Sequence, residues 1–305
     1  MARKNGHYVN GRQRWYCAKC RRSFSWSNAK VRKANEQEWF RRWIVEGYSV
    51  RQLASQSGHS PGKLYRMINH YIEQSPPEPT SDLARYQYFI LDGTFIHRPR
   101  SLVALMDAQT HMLVAGKYAV SESSGSQLRV FLGRLKERGL RPRSFTVDGN
   151  PHLTNTLRSL WPDVTVQRCL IHIQRQGLVW CRNVPKTTYA RKLRRIFLKV
   201  TRIRTKEERD TFLKLIGEWE DKYSSQIRYR PETGYVFSDI KRARSMLLRA
   251  LPDMFHYLDD PLISISTNSL EGYFSRLKSR YRQHRGLSRR KRNNYFQWYF
   301  YYVPK

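Results

Sequence analysis

Two short apolar runs in this chain give way to the same pair of residues. Tyr88-Phe89-Ile90-Leu91 leads into Asp92-Gly93, and Ser144-Phe145-Thr146-Val147 leads into Asp148-Gly149. Runs of this length and composition read as strands. Two more strand-like runs, residues 102–106 and 112–120, follow the first, with Asp107-Ala108-Gln109-Thr110-His111 as a hairpin turn between them. Residues 124–138 carry Leu128, Phe131, Leu132 and Leu135 at one-face spacing, which predicts an amphipathic helix. A short helix is predicted at about 153–160 and a fifth strand over 164–171. Three strands, helix, strand, helix, strand is the order of a ribonuclease-H-like α/β sheet.

Acids at strand ends stand out because this chain has few of them. It holds 57 Lys and Arg against 24 Asp and Glu, a formal net charge of +33 over 305 residues. Such charge repels itself unless a polyanion offsets it, and the basic residues run the whole length rather than forming a tail. Nucleic acid is the expected partner. No apolar run reaches spanning length and no signal-peptide pattern opens the chain, so a cytoplasmic, nucleoid-associated protein without a membrane partner is expected. The four cysteines, Cys17, Cys20, Cys169 and Cys181, do not form a disulfide framework. At 40% hydrophobic residues the chain can bury a core.

Gly after each aspartate removes the neighbouring side chain and lets a substrate backbone approach. Two aspartates on neighbouring strand ends can share hard cations through oxygen ligands. A third carboxylate, Glu271, lies in Thr267-Asn268-Ser269-Leu270-Glu271-Gly272, which reads as a helix start. Asp92, Asp148 and Glu271 together suit two Mg²⁺ or Mn²⁺ ions, the arrangement that activates a nucleophile and steadies the leaving oxygen in phosphodiester chemistry. An Asp-Gly pair alone is usually a turn. Two of them in this strand order point to catalysis. Asp107 reads as a turn residue and Glu122 as a surface residue.

Four segments now fall in order: Leu91-Asp92-Gly93-Thr94, Val147-Asp148-Gly149-Asn150, Cys169-Leu170-Ile171-His172 and Thr267-Asn268-Ser269-Leu270-Glu271-Gly272. This order resembles the Mutator-like bacterial insertion-sequence transposases of the DDE type, which carry a Cys-x-x-His signature between the second Asp and the Glu. The resemblance spans about residues 85–290. It implies a ribonuclease-H-like domain interrupted by an all-helical insertion, here about residues 174–262, with Phe212, Leu215, Ile216 and Trp219 in one apolar stripe. It also implies binding of double-stranded element ends and target DNA, strand cleavage and joining, and a homodimer or higher assembly on DNA. A DNA-binding regulator with a decayed catalytic domain and a nuclease without strand transfer are the alternatives. Cys169 and His172 have too few soft ligands nearby for a closed zinc site. They suit a structural or DNA-positioning role beside the active site, with plain core packing as an equal alternative. Asn268, Arg276 and Lys278 are accessory candidates there.

Two further regions flank this domain. Residues 1–30 are basic and hold Cys17-x-x-Cys20, which resembles the second half of a zinc ribbon. His7 is the only other upstream ligand candidate, so either the start lies upstream or the Zn²⁺ site is degenerate and the segment is a basic aromatic arm. Residues 31–74 read as a helix-turn-helix module, with Gly58 at the turn and Ser60-Pro61 opening the second helix. Its Lys63, Tyr65, Arg66 and Asn69 can reach phosphates and base edges. Residues 75–84 are a Pro-rich linker, 85–173 the sheet, and 263–305 the Glu271 helix with a basic, aromatic tail. There Arg280, Arg282 and Arg285 are expected to neutralise phosphates near the cut site. The closing aromatic run is expected to pack on the catalytic domain or a partner protomer.

Overall fold

A computed structural model of the chain describes residues 1–26, 29–78, 82–98, 100–121, 123–229 and 235–304. Pro79 of the linker and Glu122 lie outside them. The chain divides into two compact units: Met1–Ser75 with Arg280–Lys291, and Pro76–Ser279 with Arg292–Lys305.

The first unit opens with three antiparallel strands, β1 (Ala2–His7), β2 (Gln13–Cys17) and β3 (Arg22–Phe24). Three helices follow: α1 (Ala29–Val45), α2 (Val50–Ser57) and α3 (Pro61–Ile72). Local sequence explains their ends. Ser49 caps α2 in a reciprocal box with Gln52, and Gly58 ends it in the left-handed conformation at φ 66°. Ser60 then caps α3, whose first helical residue is Pro61. Leu53, Leu64, Ile68, Ile72, Phe40 and Ile44 form the buried faces of these helices.

The second unit is an α/β domain around a five-stranded mixed sheet. Its strands are β4 (Tyr88–His97), β5 (Arg100–Asp107), β6 (Leu113–Val120), β7 (Ser144–Val147) and β8 (Thr165–Arg168), in the order β6-β5-β4-β7-β8. β4, β5 and β6 pair antiparallel, whereas β4, β7 and β8 pair parallel. Asp107 closes the β5–β6 turn, accepting hydrogen bonds from the Thr110 amide and hydroxyl at 2.8 and 2.6 Å. Helices α4 (Gly125–Glu137) and α5 (Pro151–Leu160) are the crossovers that parallel strands require. Leu128, Leu132 and Leu157 join Phe89, Leu91 and Phe145 in one core.

Two sequence expectations change here. β4 does not end at Asp92, because its pairing with β5 continues to His97↔Arg100 and Asp92 sits opposite Ala104. The fifth strand stops at Arg168 rather than 171. Cys169 is already the cap of α6 (Leu170–Cys181), and the Leu170 amide bonds to the Ile265 carbonyl.

Beyond α6 the chain is helical: α7 (Thr188–Phe197), α8 (Lys206–Tyr229) and α9 (Tyr235–Ala250). Leu170 and Ile173 share a core with Leu193, Phe212, Ile216 and Trp219. The Trp219 indole donates to the Tyr189 carbonyl at 3.0 Å. Then come α10 (Asn268–Tyr281) and α11 (Arg289–Tyr302). Tyr295, Phe296, Trp298 and Tyr299 of the aromatic run are buried within this unit, with Phe296 tilted against Tyr118 of β6 at 4.8 Å between rings, whereas Tyr301 is exposed. The Tyr273 hydroxyl of α10 donates to the Val303 carbonyl at 2.8 Å. Among the described residues no helix is long and apolar enough to cross a membrane.

Two helical glycines separate packing from propensity. A Cβ on Gly177 in α6 would lie 2.3 Å from the Phe197 ring, whereas one on Gly217 in α8 would meet nothing within 4 Å. Ala is favoured over Gly inside a helix by about 1 kcal/mol, while overpacking a core costs about 1–3 kcal/mol. Gly217→Ala is therefore expected to raise the denaturant midpoint and Gly177→Ala to lower it. An unchanged or higher midpoint for Gly177→Ala would mean that Phe197 has room to turn.

Candidate active site

The parallel register brings the two aspartates level. β4 and β7 pair through Ile90↔Thr146, and two residues further along each strand stand Asp92 and Asp148. A sheet's side chains repeat every second residue, so the pair shares one face. The Asp92 carboxylate accepts from the Gly93 amide at 2.8 Å, and that of Asp148 from the Asn150 amide at 2.9 Å.

Glu271 comes to them in the first turn of α10. The segment before it is tied to the sheet at several points. The Thr146 hydroxyl donates to the Ser264 carbonyl at 2.7 Å, and the Thr267 amide donates to Cys169 Sγ at 3.4 Å. Further along α10, the Lys278 ammonium donates to the Thr94 hydroxyl of β4. These ties explain how a carboxylate so distant in sequence arrives beside Asp92. Asn268, the first residue of α10, is exposed. Arg276 is also exposed, with its guanidinium 5.9 Å from the Tyr273 ring centre.

His172, in the first turn of α6, completes the cluster. One ligand atom each from Asp92, His172 and Glu271 lies within 4.8 Å of the others, the group of this kind found among the described residues. His172 Nε2 stands 3.5 Å from Glu271 Oε1. That oxygen is sealed from solvent and makes no hydrogen bond. Asp92 is only 7% exposed. Burial, then repulsion from Asp148, pushes its pKa up to about 7. His172 moves up to about 9, chiefly through its hydrogen bond with Cys169 and with help from both carboxylates. Burial alone would raise the Cys169 thiol, but hydrogen bonding from His172 outweighs it and the thiol is lowered. The centre thus has crowded carboxylates and a buried carboxylate oxygen without a hydrogen bond. Oxygen donors in this state fit a hard divalent cation.

Two arginines beside the centre escaped the sequence reading. Arg175 Nη1 lies 3.5 Å from Glu271 Oε2. Arg168, at the end of β8, donates from Nη2 to the Asp148 carbonyl at 3.2 Å, and its Nε is buried without a partner. Its guanidinium lies over Gly149, where a Cβ would fall about 2 Å from it, and Gly149 itself has φ 94°. The glycine after Asp148 therefore admits an arginine as well as a turn. Only the neighbouring β7–β8 register, Val147↔Arg168, reveals this pairing.

The remaining candidates lie in the first unit. Cys17 ends β2 and Cys20 is in the turn before β3. Ala2 pairs with Cys17 but His7 pairs with Gln13. At about 3.3 Å per residue, His7 is more than 10 Å along the hairpin from Cys17 and cannot join its ligand set. On α3, Tyr65, Arg66 and Asn69 are exposed, and Lys63 Nζ is 3.4 Å from His59 Nε2. Arg280, Arg282 and Arg285 were grouped by sequence with the Glu271 helix, but by contacts they belong to this unit. Buried His284 anchors them, donating from Nε2 to the Trp43 carbonyl at 3.0 Å. Burial pushes its pKa down to about 4, so it stays neutral in that contact.

The Asp92 carboxylate generates a pH-dependent stability in metal-free protein. Its folded pKa of about 7 exceeds its ordinary value of 3.8, so ionisation opposes folding. That penalty is absent below about 3.8, grows between 4 and 7, and is complete above 7. Asp92→Asn should match the parent near pH 3.5 and exceed it at pH 8 by up to about 4 kcal/mol, since one unit corresponds to about 1.4 kcal/mol. Urea denaturation in chelator at both pH values checks this. Equal stability of the two proteins at pH 8 would contradict the crowded-carboxylate picture.

No curated protein matches this chain. A family model does match, over residues 103–235, and its description is transposase, Mutator family. Over that segment, which runs from β5 into the start of α9, the chain is similar to the Mutator family of transposases.

Proposed function

We propose that this chain is a transposase of the DDE type: it binds the double-stranded ends of a mobile element and carries out metal-dependent strand cleavage and strand transfer. The observation that carries this reading is the cluster of Asp92, His172 and Glu271, from β4, α6 and α10, with Asp148 level with Asp92 on the neighbouring strand and near enough to raise its pKa. The strand order β6-β5-β4-β7-β8, with its first three strands antiparallel, supports a ribonuclease-H-like assignment for the domain. The helical stretch between α6 and α10 then corresponds to the insertion before the glutamate.

Asp92, Asp148 and Glu271 are the residues that would hold two Mg²⁺ or Mn²⁺ ions. Such ions, when bound, activate a water or 3′-hydroxyl and stabilise the departing oxygen. The protein's own share is positioning. Asp92 and Asp148 are kept level by the sheet, and Arg168 fixes the Asp148 peptide from beneath. His172 supplies positive charge between Asp92 and Glu271, and Thr267 holds its ring with Nδ1 3.4 Å from the hydroxyl. Arg175 and Arg276 add positive charge for a bound phosphate near Glu271. In the first unit, α2 and α3 serve as a helix-turn-helix with Tyr65 and Arg66 toward DNA. The knuckle of Cys17 and Cys20 supplies two thiolates, too few to hold Zn²⁺ tightly, so zinc there should yield to a mild chelator.

Labelled element-end duplex, Mg²⁺ and purified protein test the reading. Asp92→Ala, Asp148→Ala and Glu271→Ala should each reduce cleavage and joining to background. End binding should stay within about twofold of the parent, because every cation that meets a phosphate is kept. Near-normal cleavage by the Asp148 variant would refute the site. Cleavage without joined product would favour a nuclease over a transposase of this type.

A further inference from the structure

The first unit draws on two distant parts of the chain, and the later part is its most basic. Of the twelve residues from Arg280 to Lys291, six are Arg or Lys and none is acidic. Three anchors hold this segment to the helices of the unit. The Arg280 backbone packs on Gly47, where a Cβ would lie 3.1 Å from it and where φ is 69°. His284 is buried against Trp43, with rings 4.2 Å apart. Lys291 donates to the Asn69 side chain at 2.8 Å and lies 3.5 Å from the Glu73 carboxylate.

The last anchor matters most. Asn69 and Glu73 lie on the exposed side of α3 near its end, the side that also presents Tyr65 and Arg66. Lys291 neutralises Glu73, the acidic group that would oppose a phosphate there. Arg289 and Arg290 precede Lys291 by two residues and one at the start of α11 and are exposed. At 1.5 Å rise per residue they stay within one helical turn of it. Arg285, also exposed, follows His284 directly.

We propose that α3 and the Arg280–Lys291 segment form one composite docking surface for duplex DNA, in which Arg285, Arg289 and Arg290 grip backbone phosphates flanking the bases faced by Tyr65 and Arg66. Lys291 is a positioning residue in this surface. It occupies Asn69, which is thereby engaged with protein rather than poised over a base edge. The segment's cations thus serve the DNA-reading unit, and the contact between sequence-distant parts is what assembles it. This inference rests on the DNA-binding reading above.

The test uses the full chain and a fluorescent duplex of random sequence, about 15 base pairs and so roughly 50 Å long at 3.4 Å per step. A duplex this short limits binding to one local surface. Affinity is measured by anisotropy over a salt series for the parent, for Arg66→Ala, and for a triple variant with Arg285→Ala, Arg289→Ala and Arg290→Ala. Far-ultraviolet circular dichroism checks folding of each. Each phosphate that is no longer neutralised should lower the slope of log affinity against log salt by about 0.9, so the triple variant is expected to show a slope shallower by about 2 to 3. An unchanged slope in the triple variant, with weaker binding by Arg66→Ala, overturns the composite surface and leaves the DNA-binding reading standing. Salt-independent binding by the parent would sink both. If the triple variant loses slope only on longer duplexes, its arginines act elsewhere on DNA and the composite surface is wrong.

Discussion

Two carboxylates held side by side on one face of a sheet repel each other, and in this protein their meeting sets the demands on everything around them. Asp92 and Asp148 are brought level by the parallel pairing of β4 with β7, a backbone constraint that ignores charge. Burial, and after it this repulsion, raises the pKa of Asp92. His172, beside Glu271, offsets part of it; Arg175 faces the other Glu271 oxygen, and Arg168 donates to the Asp148 carbonyl. In a chain of net charge +33 most cations are surplus, yet these three have defined partners.

The long helical stretch between the second aspartate and the glutamate must return the chain to the sheet. Its helices have their own core, which α6 shares through Leu170 and Ile173. The same α6 carries His172 and is capped by Cys169. The Cys-x-x-His signature therefore works as a junction. Cys169 sulfur receives the Thr267 amide just before α10, and His172 reaches Glu271 at the start of that helix. One turn of α6 thus positions both the entry to α10 and the charge next to its carboxylate. Core packing and site positioning, alternatives for Cys169 in sequence terms, coincide here, because the buried thiol is itself the contact point.

The first unit solves a different problem. Its surface cations have few acids to pair with, and a partner rich in phosphates would relieve their repulsion. The helices α2 and α3 owe their ends to local signals, but the unit is completed by a segment from near the other end of the chain. Neutral His284 makes that docking possible, since a buried imidazolium against Trp43 would be costly.

Local patterns determined much of this by themselves. The Asp-Gly pairs, the strand and helix order, the cap at Ser60 and the turn at Asp107 depend on neighbours a few residues away, and all were legible. Asp92, Asp148 and Glu271 stood out as candidates because acids are scarce and these follow recurring motifs, and the fold gathers Asp92 and Glu271 with His172. The length of β4 was not legible, because β5 extends it past Asp92. Arg168, Arg175 and the true home of Arg280–Lys291 were also hidden, as one more arginine in so basic a chain carries no signal. Register, burial and contacts between residues far apart in sequence decided those, because only a folded backbone brings a particular cation to a particular carboxylate.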